Sequence, residues 1–568
     1  MPSVVRTLQA RLGDALARVG LDAGEAPIPV TPTAEARFGD YQTNVGMTCA
    51  KRLGQNPRVL AGRILQALDV ADLGPPPEIA GPGFINFRLG PAFVARQVSA
   101  MAHDERLGVP AAAPPKTIII DFSSPNIAKP MHVGHIRSTI LGDSLARVSR
   151  FLGHRVITDN HLGDWGTQFG KVIYGWKRWL RPEALERHPA DELVRIYREA
   201  DAAAKTDPHA LELCRDELVK LQRGDPENAR IWRECVERST EEFSRIYQQL
   251  GIRFDEQLGE SFYNAQLVDL TATLRKQGIL EESDGALVYW DRSLSDDPFI
   301  IRKSDGGFGY AATDLATLQY RLERWHPDAI WYVVGAPQQL HFKQLFSLAR
   351  KLGVKVDLEH IAFGSILGED RKLMRTRSGD SVPLDELLAE AVERAAGLVV
   401  EKNPGLPETD RRQVADAVGL GAIKYAELSQ YRMTDYVFSW DKLLSLQGNT
   451  APYLQNAYVR SRAIFRKLTA EWAFPATLAF AEPAELALAK KLLQFADVVP
   501  AILDGFRPNV LAGYLYELAA VYHAFYEECP VLAAPAPQRA IRLALCETFA
   551  RVIRLGLDLL GIRVPERM

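Results

Sequence analysis

The sequence predicts a multidomain α/β protein, and three observations lead to that fold class. Residues 117–158 have the pattern strand, loop, helix, strand, which is half of a mononucleotide-binding fold. From Thr409 onward the chain is nearly all helical by pattern. A chain of 568 residues is too long for one core and suggests about three or four domains. We therefore expect a Rossmann-like, parallel-sheet catalytic domain with an insertion, a small N-terminal α+β domain and a C-terminal all-α helical bundle.

The boundaries follow from changes in composition. Residues 106–116 are rich in Ala and Pro and are typical of a linker. We place the N-terminal domain at 1–105, the catalytic domain at 116–408 with a helical insertion at about 180–300, and the C-terminal domain at 409–568.

The N-terminal domain combines helical and strand patterns. The predicted helices are Met1–Gly20, Gln42–Leu53, Pro57–Leu68 and a segment after Pro91, and the predicted strand is Phe84–Leu89. Phe38 to Tyr41 form a turn with a candidate exposed aromatic. A purely structural turn and an RNA contact by stacking fit this turn about equally well.

The catalytic domain is organised around residues 117–158. Thr117–Ile120 is an apolar run of the kind that forms a buried parallel strand, and Asp121–Met131 is rich in Ser, Pro and Asn, which predicts a loop. A helix begins at His132 and ends near Gly153, and Val156–Thr158 restarts a strand.

His132 and His135 are three residues apart at the helix start and face the same way. Gly134 between them allows a phosphate or a flat ring to approach the backbone, and free amides at a helix N-terminus attract anions. Two imidazoles there can stabilise phosphate charge. The alternative is that both histidines only cap the helix or fill the core.

The rest of the catalytic domain supplies a second set of polar residues. Asp191–Leu250 is almost all helical, with a predicted cap at Ser239 or Thr240, and Gly285–Trp290 and Phe299–Lys303 are predicted strands. A helix over Gly309–Arg321 places Tyr310 and Asp314 on one face. A buried strand, Ala329–Val334, delivers Gln338 at its carboxyl end.

Ligands of open α/β sheets bind beyond the carboxyl ends of the strands, so Asp121, Tyr310, Asp314 and Gln338 can meet in one pocket. Two carboxylates, a phenol and an amide suit a planar guanidinium with five donors. The alternative is an acidic surface helix beside a buried strand end.

In the C-terminal domain a helix starts near Pro452. It interleaves aromatic and basic residues, which suits stacking on unpaired bases and contact with phosphates. An ordinary core-and-surface helix explains the pattern about equally well. Residues 484–562 fit a helical bundle.

Bulk composition excludes several classes. A net charge of −3 argues against a uniformly basic nucleic-acid binder but allows local basic faces. Five scattered cysteines without a C-x-x-C pair indicate neither a disulfide framework nor a structural zinc site. The N-terminus lacks a secretory signal and no apolar run is long enough for a membrane span, so we expect a cytoplasmic protein.

The segment SPNIAKPMHVGH, residues 124–135, resembles the HIGH-motif region of class I aminoacyl-tRNA synthetases in the form carried by arginyl-tRNA synthetases. Further segments similar to that family follow in the same order along nearly the whole chain: 159–170, 259–263, 310–321, 337–342, 451–460 and 564–568. One departure stands out, because residues 361–388 contain no KMSKS pattern and offer Met374, Arg375 and Arg377 instead.

The resemblance implies an arginine–tRNA ligase that uses ATP, arginine and tRNA(Arg), with Mg²⁺ on the phosphates. Nothing in the sequence itself demands a dimer or a membrane partner, so we expect a monomer without one. The implied catalytic residues are Lys129, His132 and His135, where Lys129 is a candidate replacement for the missing KMSKS lysine. The implied ATP-binding residues are His132, Gly134, His135, Met374, Arg375 and Arg377. The implied arginine-binding residues are Asp121, Ser123, Asn126, Tyr310, Asp314 and Gln338. The implied tRNA-binding residues are Tyr453, Gln455, Asn456 and Arg460.

Two other functions compete with this interpretation. Another HIGH-type nucleotidyltransferase with a small acceptor would not need a long helical C-terminal domain. A non-catalytic, synthetase-like RNA-binding protein would not need His132, Gly134, His135 and Lys129 together.

Overall fold

The computed structural model of the protein describes residues 3–22, 26–375, 381–469 and 471–568. The chain divides into two compact units. The first unit contains Met1–Ala112, Ser445–Leu559 and Arg563–Met568, and the second contains Ala113–Leu444 and Leu560–Ile562. The division into domains at 1–105, 116–408 and 409–568 stays a prediction.

The N-terminal part of the first unit packs helices against an antiparallel sheet of order β1-β2-β4-β3. The helices are α1 Val4–Arg18, α2 Val45–Leu53, α3 Pro57–Ala67 and α4 Pro91–Ala102. The strands are β1 Thr31–Pro32, β2 Tyr41–Thr43, β3 Glu78–Ala80 and β4 Phe84–Phe87. The helix predicted from Gln42 is wrong at its start, because Tyr41–Thr43 pairs with β4 as a strand.

The second unit contains the predicted parallel sheet. Its strands are β5 Thr117–Phe122, β6 Arg155–Asp159, β7 Glu281–Ser283, β8 Ala286–Tyr289, β9 Phe299–Arg302, β10 Ala329–Val333, β11 Asp357–His360, β12 Ile366–Leu367 and β13 Tyr436–Val437. Strands β11, β10, β5 and β6 form one parallel sheet in that order. Residues Ile118 to Ile120 are buried on both faces, as parallel strands beneath helices require. Asp121, predicted to lie in a loop, instead belongs to the end of β5.

Helices surround this sheet and form the insertion. They are α5 Val133–Phe151, α6 Gln168–Trp179, α7 Pro182–Arg187, α8 Pro189–Thr206, α9 Pro208–Gln222, α10 Pro226–Leu250, α11 Asn264–Lys276, α12 Tyr310–Trp325, α13 Gln339–Lys351, α14 Leu384–Lys402, α15 Glu408–Leu428 and α16 Trp440–Leu443. The predicted helical region and the predicted strand pair are confirmed, since α8 to α10 fill residues 189–250 and β8 pairs with β9. The cap predicted at Ser239 or Thr240 is wrong, because both residues lie inside α10, which Asp225 caps.

The C-terminal part of the first unit is helical, as predicted. Its helices are α17 Ala451–Arg466, α18 Pro483–Leu493, α19 Phe495–Ala501, α20 Pro508–Glu528 and α21 Ala536–Leu559. The start of α17 follows its sequence signals, since Thr450 caps the helix and Pro452 lies in its first turn. Among the residues that the structure describes, no helix is long and apolar enough to cross a membrane.

Candidate active site

The predicted histidine pair lies at the N-terminus of α5, and the structure shows how the two rings are fixed. His132 is the N-cap, and its Nδ1 accepts a hydrogen bond from the Gly134 amide at 3.1 Å. His135 Nδ1 accepts from the His132 amide at 3.1 Å, so the two side chains form a reciprocal capping box. The ring centroids are 4.1 Å apart. Both histidines therefore cap the helix, and the cap leaves the outer edge of each ring uncommitted.

Because Nδ1 of each ring accepts a hydrogen bond, the neutral imidazole carries its proton on Nε2. Burial, and secondarily the Lys129 ammonium, lowers the pKa of His132. Burial and the neighbouring His132 lower the pKa of His135 to about 3. Both rings are thus neutral near pH 7 and offer an Nε2–H donor. A Cβ on Gly134 would lie only 2.9 Å from His132 Nδ1, so glycine keeps this turn tight.

The approach loop, residues 123–131, is held in an unusual backbone conformation. Ser123, Ser124 and Ala128 have positive φ angles of 74°, 48° and 61°. Three amide donors stabilise it: Ser124 to Asn160 Oδ1 at 3.0 Å, Ile127 to the Gly163 carbonyl at 3.0 Å, and Ala128 to Ser239 Oγ at 3.1 Å. Such strain persists only where surrounding contacts over-determine it and is typical of ligand-binding sites.

Three predicted site residues lie on this loop, in different surroundings. Asn126 and Lys129 are exposed. The Lys129 Nζ lies 5.6 Å from the centre of the Tyr197 ring on α8. Ser123 is buried, and its hydroxyl is within 2.8 Å of the hydroxyls of both Tyr247 and Thr139.

The segment predicted to contact phosphates ends next to the histidine turn. The Val133 amide donates to the Val382 carbonyl, and the Leu384 amide donates to the Met131 carbonyl, both at 2.9 Å. Met374 and Arg375 line a cavity of about 710 Å³ together with Phe438 and Trp440. Arg377 lies outside the described residues.

Two carboxyl groups, Asp314 and Glu260, form an acidic cluster at the start of α12. Asp314 Oδ2 is 2.5 Å from His341 Nε2 on α13. Burial raises the pKa of Tyr310, and the charges of Glu260 and Asp314 raise it further. Tyr310 and Gln338 are exposed. The predicted shared face of Tyr310 and Asp314 on one helix is confirmed.

Glu260 belongs to this acidic cluster, although sequence reasoning did not select it. Burial, then the charges of Asp314 and Asp164, raises the pKa of Glu260 to about 8. Glu260 lies in a 3₁₀ turn, Glu260–Tyr263. This turn is part of residues 259–263, one of the segments that resemble the synthetase family. Its position in that segment was the available signal, but its neighbours in space are about 50 or more residues away in sequence.

Asp121 lies in a different cluster, with Asp159 and Arg321, at the carboxyl ends of the parallel strands. Its Oδ2 accepts a hydrogen bond from Arg321 Nη2 at 2.5 Å, and Asp159 Oδ2 accepts from the same nitrogen at 2.7 Å. Burial alone would lower the pKa of Arg321, but the carboxylates of Asp121 and Asp159 hold it well above its usual value. The prediction that Asp121 binds a substrate guanidinium stays a prediction. Both oxygens of its carboxylate already accept hydrogen bonds, Oδ2 from Arg321 and Oδ1 from the Ser124 hydroxyl.

The predicted tRNA-binding residues on α17 differ in exposure. Tyr453 is partly exposed, and its hydroxyl lies 3.1 Å from His523 Nδ1. Arg460 is exposed with its guanidinium 4.9 Å from the centre of the Tyr526 ring, and Asn456 is half-buried. Gln455 is fully buried, and its Nε2 donates to the Arg563 carbonyl at 2.8 Å. A tRNA contact by Gln455 stays a prediction, with that side chain committed to the C-terminal tail.

Across residues 3–22, 26–375, 381–469 and 471–568, no group of three or more His, Cys, Asp or Glu side chains is arranged to hold a metal ion. The five cysteines are all buried as free thiols.

Comparisons with known families match the chain in three successive parts. The catalytic domain of tRNA synthetases class I (R) matches residues 97–440, the arginyl tRNA synthetase N terminal domain matches 6–89, and the DALR anticodon binding domain matches 454–568.

Similar proteins match over nearly the whole length. The arginine–tRNA ligase of Synechococcus elongatus is 46% identical over 557 residues, covering 95% of each chain. That of Cellvibrio japonicus is 45% identical over 574 residues, covering 99% of each chain. Among solved structures, the arginyl-tRNA synthetases of Plasmodium falciparum and Thermus thermophilus align over 100% of both chains. Their TM-scores are 0.86 and 0.83, at 29% and 27% identity.

Proposed function

The chain belongs to the arginyl-tRNA synthetases of class I and is an arginine–tRNA ligase, and we propose how its residues divide that reaction. In the first step an arginine carboxylate oxygen attacks the α-phosphorus of ATP, and the bond to the departing pyrophosphate breaks. In the second step a hydroxyl at the tRNA(Arg) 3′ end attacks the arginyl carbonyl carbon, and AMP leaves. Neither step needs a covalent intermediate on the enzyme, because positioning and electrostatics suffice.

The phosphates of ATP lie at the N-terminus of α5 in this proposal. The neutral rings of His132 and His135 donate from Nε2, and the first amides of α5, with Gly134 among them, add the positive end of the helix dipole. Lys129 supplies a full positive charge from the approach loop. The observation that carries the proposal is the capping box, because it fixes both Nε2–H donors at a helix N-terminus before ATP arrives.

Met374, Arg375 and Arg377 complete the nucleotide site from the segment where KMSKS is missing. Support comes from the C-terminal end of that segment, where the Val382 carbonyl accepts a hydrogen bond from the amide of Val133, the first residue of α5. Mg²⁺ is proposed to bridge the phosphates as part of the ATP substrate, where it would neutralise phosphate charge.

The guanidinium of arginine binds at the acidic cluster. Asp314 and Glu260 provide carboxylates, and Tyr310 and Gln338 provide neutral oxygen acceptors on the exposed side. The exposed side chain of Asn126, on the loop beyond β5, is proposed to hold the substrate amino or carboxyl group, while buried Ser123 shapes that loop. Lysine and citrulline would leave some of these acceptors unpaired. Sites of this kind discriminate against such analogues by a factor of about 10⁴–10⁵ in kcat/KM, so hydrolytic editing would be unnecessary.

tRNA(Arg) is proposed to contact both parts of the first unit. On α17 the partly exposed Tyr453, Asn456 and Arg460 present an aromatic ring, an amide and a cation to unpaired bases and phosphates. The match of residues 454–568 to an anticodon binding domain supports this assignment. We retain the three-domain division on the same ground.

Monomeric state and cytoplasmic location are also proposals. Five buried free thiols suit a reducing compartment. Light scattering on the purified chain tests the first, and fractionation of the source cells tests the second.

Aminoacylation of tRNA(Arg) by the Asp314→Asn variant tests the assignment of the guanidinium site. A neutral amide cannot pair with the cation as a carboxylate does, so we expect kcat/KM for arginine to fall sharply while KM for ATP changes little. Exposed Glu323 on the same helix gives the matched control, Glu323→Gln. Wild-type arginine kinetics in Asp314→Asn would place the guanidinium elsewhere, and pyrophosphate exchange with lysine and citrulline measures selectivity in both proteins.

A further inference from the structure

A row of three polar residues crosses the carboxyl edge of the parallel sheet. Tyr332 on β10 is the register partner of Asp121 on β5, and Asp121 is the register partner of Asp159 on β6. All three residues are buried. Two neighbouring buried carboxylates repel each other and lose their hydration, so this row needs a compensating cation.

The compensating cation is Arg321 of α12, whose side chain is fully buried. Besides the contacts of Nη2, its Nε donates to Asp159 Oδ2 at 3.0 Å. Its guanidinium carbon lies 5.4 Å from the centre of the Tyr332 ring. Arg321 follows Asp314 by seven residues, so the helix that presents the proposed substrate carboxylate also presents this guanidinium on the same face.

The row is connected to the approach loop by hydrogen bonds. The Ser124 hydroxyl donates to Asp121 Oδ1 at 3.1 Å, and the Ser124 amide donates to Asn160 Oδ1, one residue beyond Asp159. Ser123 and Ser124 are two of the three loop residues with strained positive φ angles. Of the two oxygen atoms that hold this turn, Asp121 Oδ1 therefore belongs to a carboxylate whose charge Arg321 neutralises and whose position it fixes.

From this geometry we infer that Arg321 is a positioning residue with two effects, an inference that rests on the proposed function of the site. Its guanidinium fills the Asp121–Asp159 carboxylate pair, so the guanidinium of the substrate is excluded there and is directed to Asp314 and Glu260. Through Asp121 and Ser124 it also fixes the turn from which Asn126 reaches the substrate. The chain thus uses its own guanidinium to leave a single acidic site for arginine.

Chemical rescue separates this role from ordinary core packing. Arg321→Ala, folded by circular dichroism, is expected to lose roughly 10²-fold in kcat/KM for arginine, the loss typical of a misplaced substrate, with KM for ATP nearly unchanged. Millimolar guanidinium chloride, far below denaturing concentrations, should restore at least about tenfold of that loss by entering the vacated carboxylate pair. In the wild type the same salt should only inhibit, in competition with arginine.

Exposed Arg324 on the same helix provides the control, and Arg324→Ala should respond to guanidinium as the wild type does. A folded Arg321→Ala with wild-type kinetics, or one that guanidinium fails to restore, overturns the inference.

If Arg321→Ala does not fold, Arg321→Lys is measured instead. Lysine offers one nitrogen where Arg321 uses two, Nη2 and Nε, and it lacks the planar fork that sets their geometry. We therefore expect kcat/KM for arginine to fall by about tenfold or more, again with KM for ATP preserved. Unchanged kinetics in Arg321→Lys would equally overturn it. A wild type that does not aminoacylate tRNA(Arg) would contradict the proposed function. Only the kinetics of the Arg321 variants can contradict the present inference.

Discussion

Replacing Glu260 with Gln is expected to abolish the pH dependence of arginine binding between pH 6 and pH 8. Burial and the charges of Asp314 and Asp164 raise the pKa of Glu260 to about 8, so its carboxyl is mostly protonated at pH 7 in the free protein. A bound guanidinium favours the ionised form and lowers that pKa. Binding of arginine therefore releases a proton, and the affinity rises with pH until Glu260 is ionised.

The size of the effect follows from the ionised fraction. A carboxyl with a pKa of about 8 is ionised to about 1% at pH 6, about 10% at pH 7 and about 50% at pH 8. If binding requires the ionised form, Kd for arginine falls about 50-fold from pH 6 to pH 8. Near pH 7 each bound arginine releases about 0.9 proton.

Isothermal titration calorimetry measures both quantities, because repeating the titration in buffers of different ionisation enthalpy gives the number of protons released. Glu260→Gln should bind arginine more weakly at pH 8, release no proton and show a flat Kd across the range. Glu281→Gln, an exposed carboxyl on β7, is the matched control and should keep the wild-type slope. A wild type whose Kd is flat from pH 6 to pH 8, with no proton released, would refute the assignment of Glu260 to the guanidinium site.

Three further predictions concern the nucleotide and the tRNA. His132→Ala and His135→Ala should each lower the rate of adenylate formation roughly 10²–10³-fold in single-turnover kinetics, with little change in arginine affinity. His132→Asn can still cap α5, so it should be as slow as His132→Ala if the imidazole ring itself is needed. Lys129→Ala should slow the same step at least as much as Arg375→Ala, and a silent Lys129→Ala would remove the idea of a relocated lysine. Tyr453→Ala should raise KM for tRNA by the equivalent of about 1–3 kcal/mol while sparing KM for ATP, and an unchanged KM for tRNA in a folded variant argues against stacking.

The sequence predicted elements whose determinants are local. The strand Thr117–Phe122, the helix from the histidine turn and the start of α17 depend on an apolar run, a cap and a proline position that lie within a few residues. The short strands β1 to β3 were not predicted, because two or three residues carry almost no periodic signal. Their pairing is set by partners such as β4 instead.

The partners of site residues were harder to predict because electrostatic pairing ignores sequence distance. Asp121 and Arg321 are 200 residues apart, and nothing in the pattern around Asp121 indicates that a guanidinium from the same chain occupies it. The same holds for Glu260, whose raised pKa depends on burial and on carboxylates from two other segments. Residue type and strand position were enough to predict that Asp121 lies at the edge of the sheet. They could not predict which carboxylates are paired within the chain and which remain available to a ligand.

The histidine pair shows why a structural and a functional role need not compete. Each imidazole has two nitrogens, and the cap uses only Nδ1 of each ring. Accepting at Nδ1 forces the proton onto Nε2, so capping itself selects the tautomer that can donate to a phosphate. Burial then keeps His135 neutral, which avoids the repulsion that two imidazolium groups would create at 4.1 Å beside Lys129. The local stability of α5 and the orientation of both donors thus come from one pair of hydrogen bonds. A substitution that keeps the cap but not the ring separates the two effects.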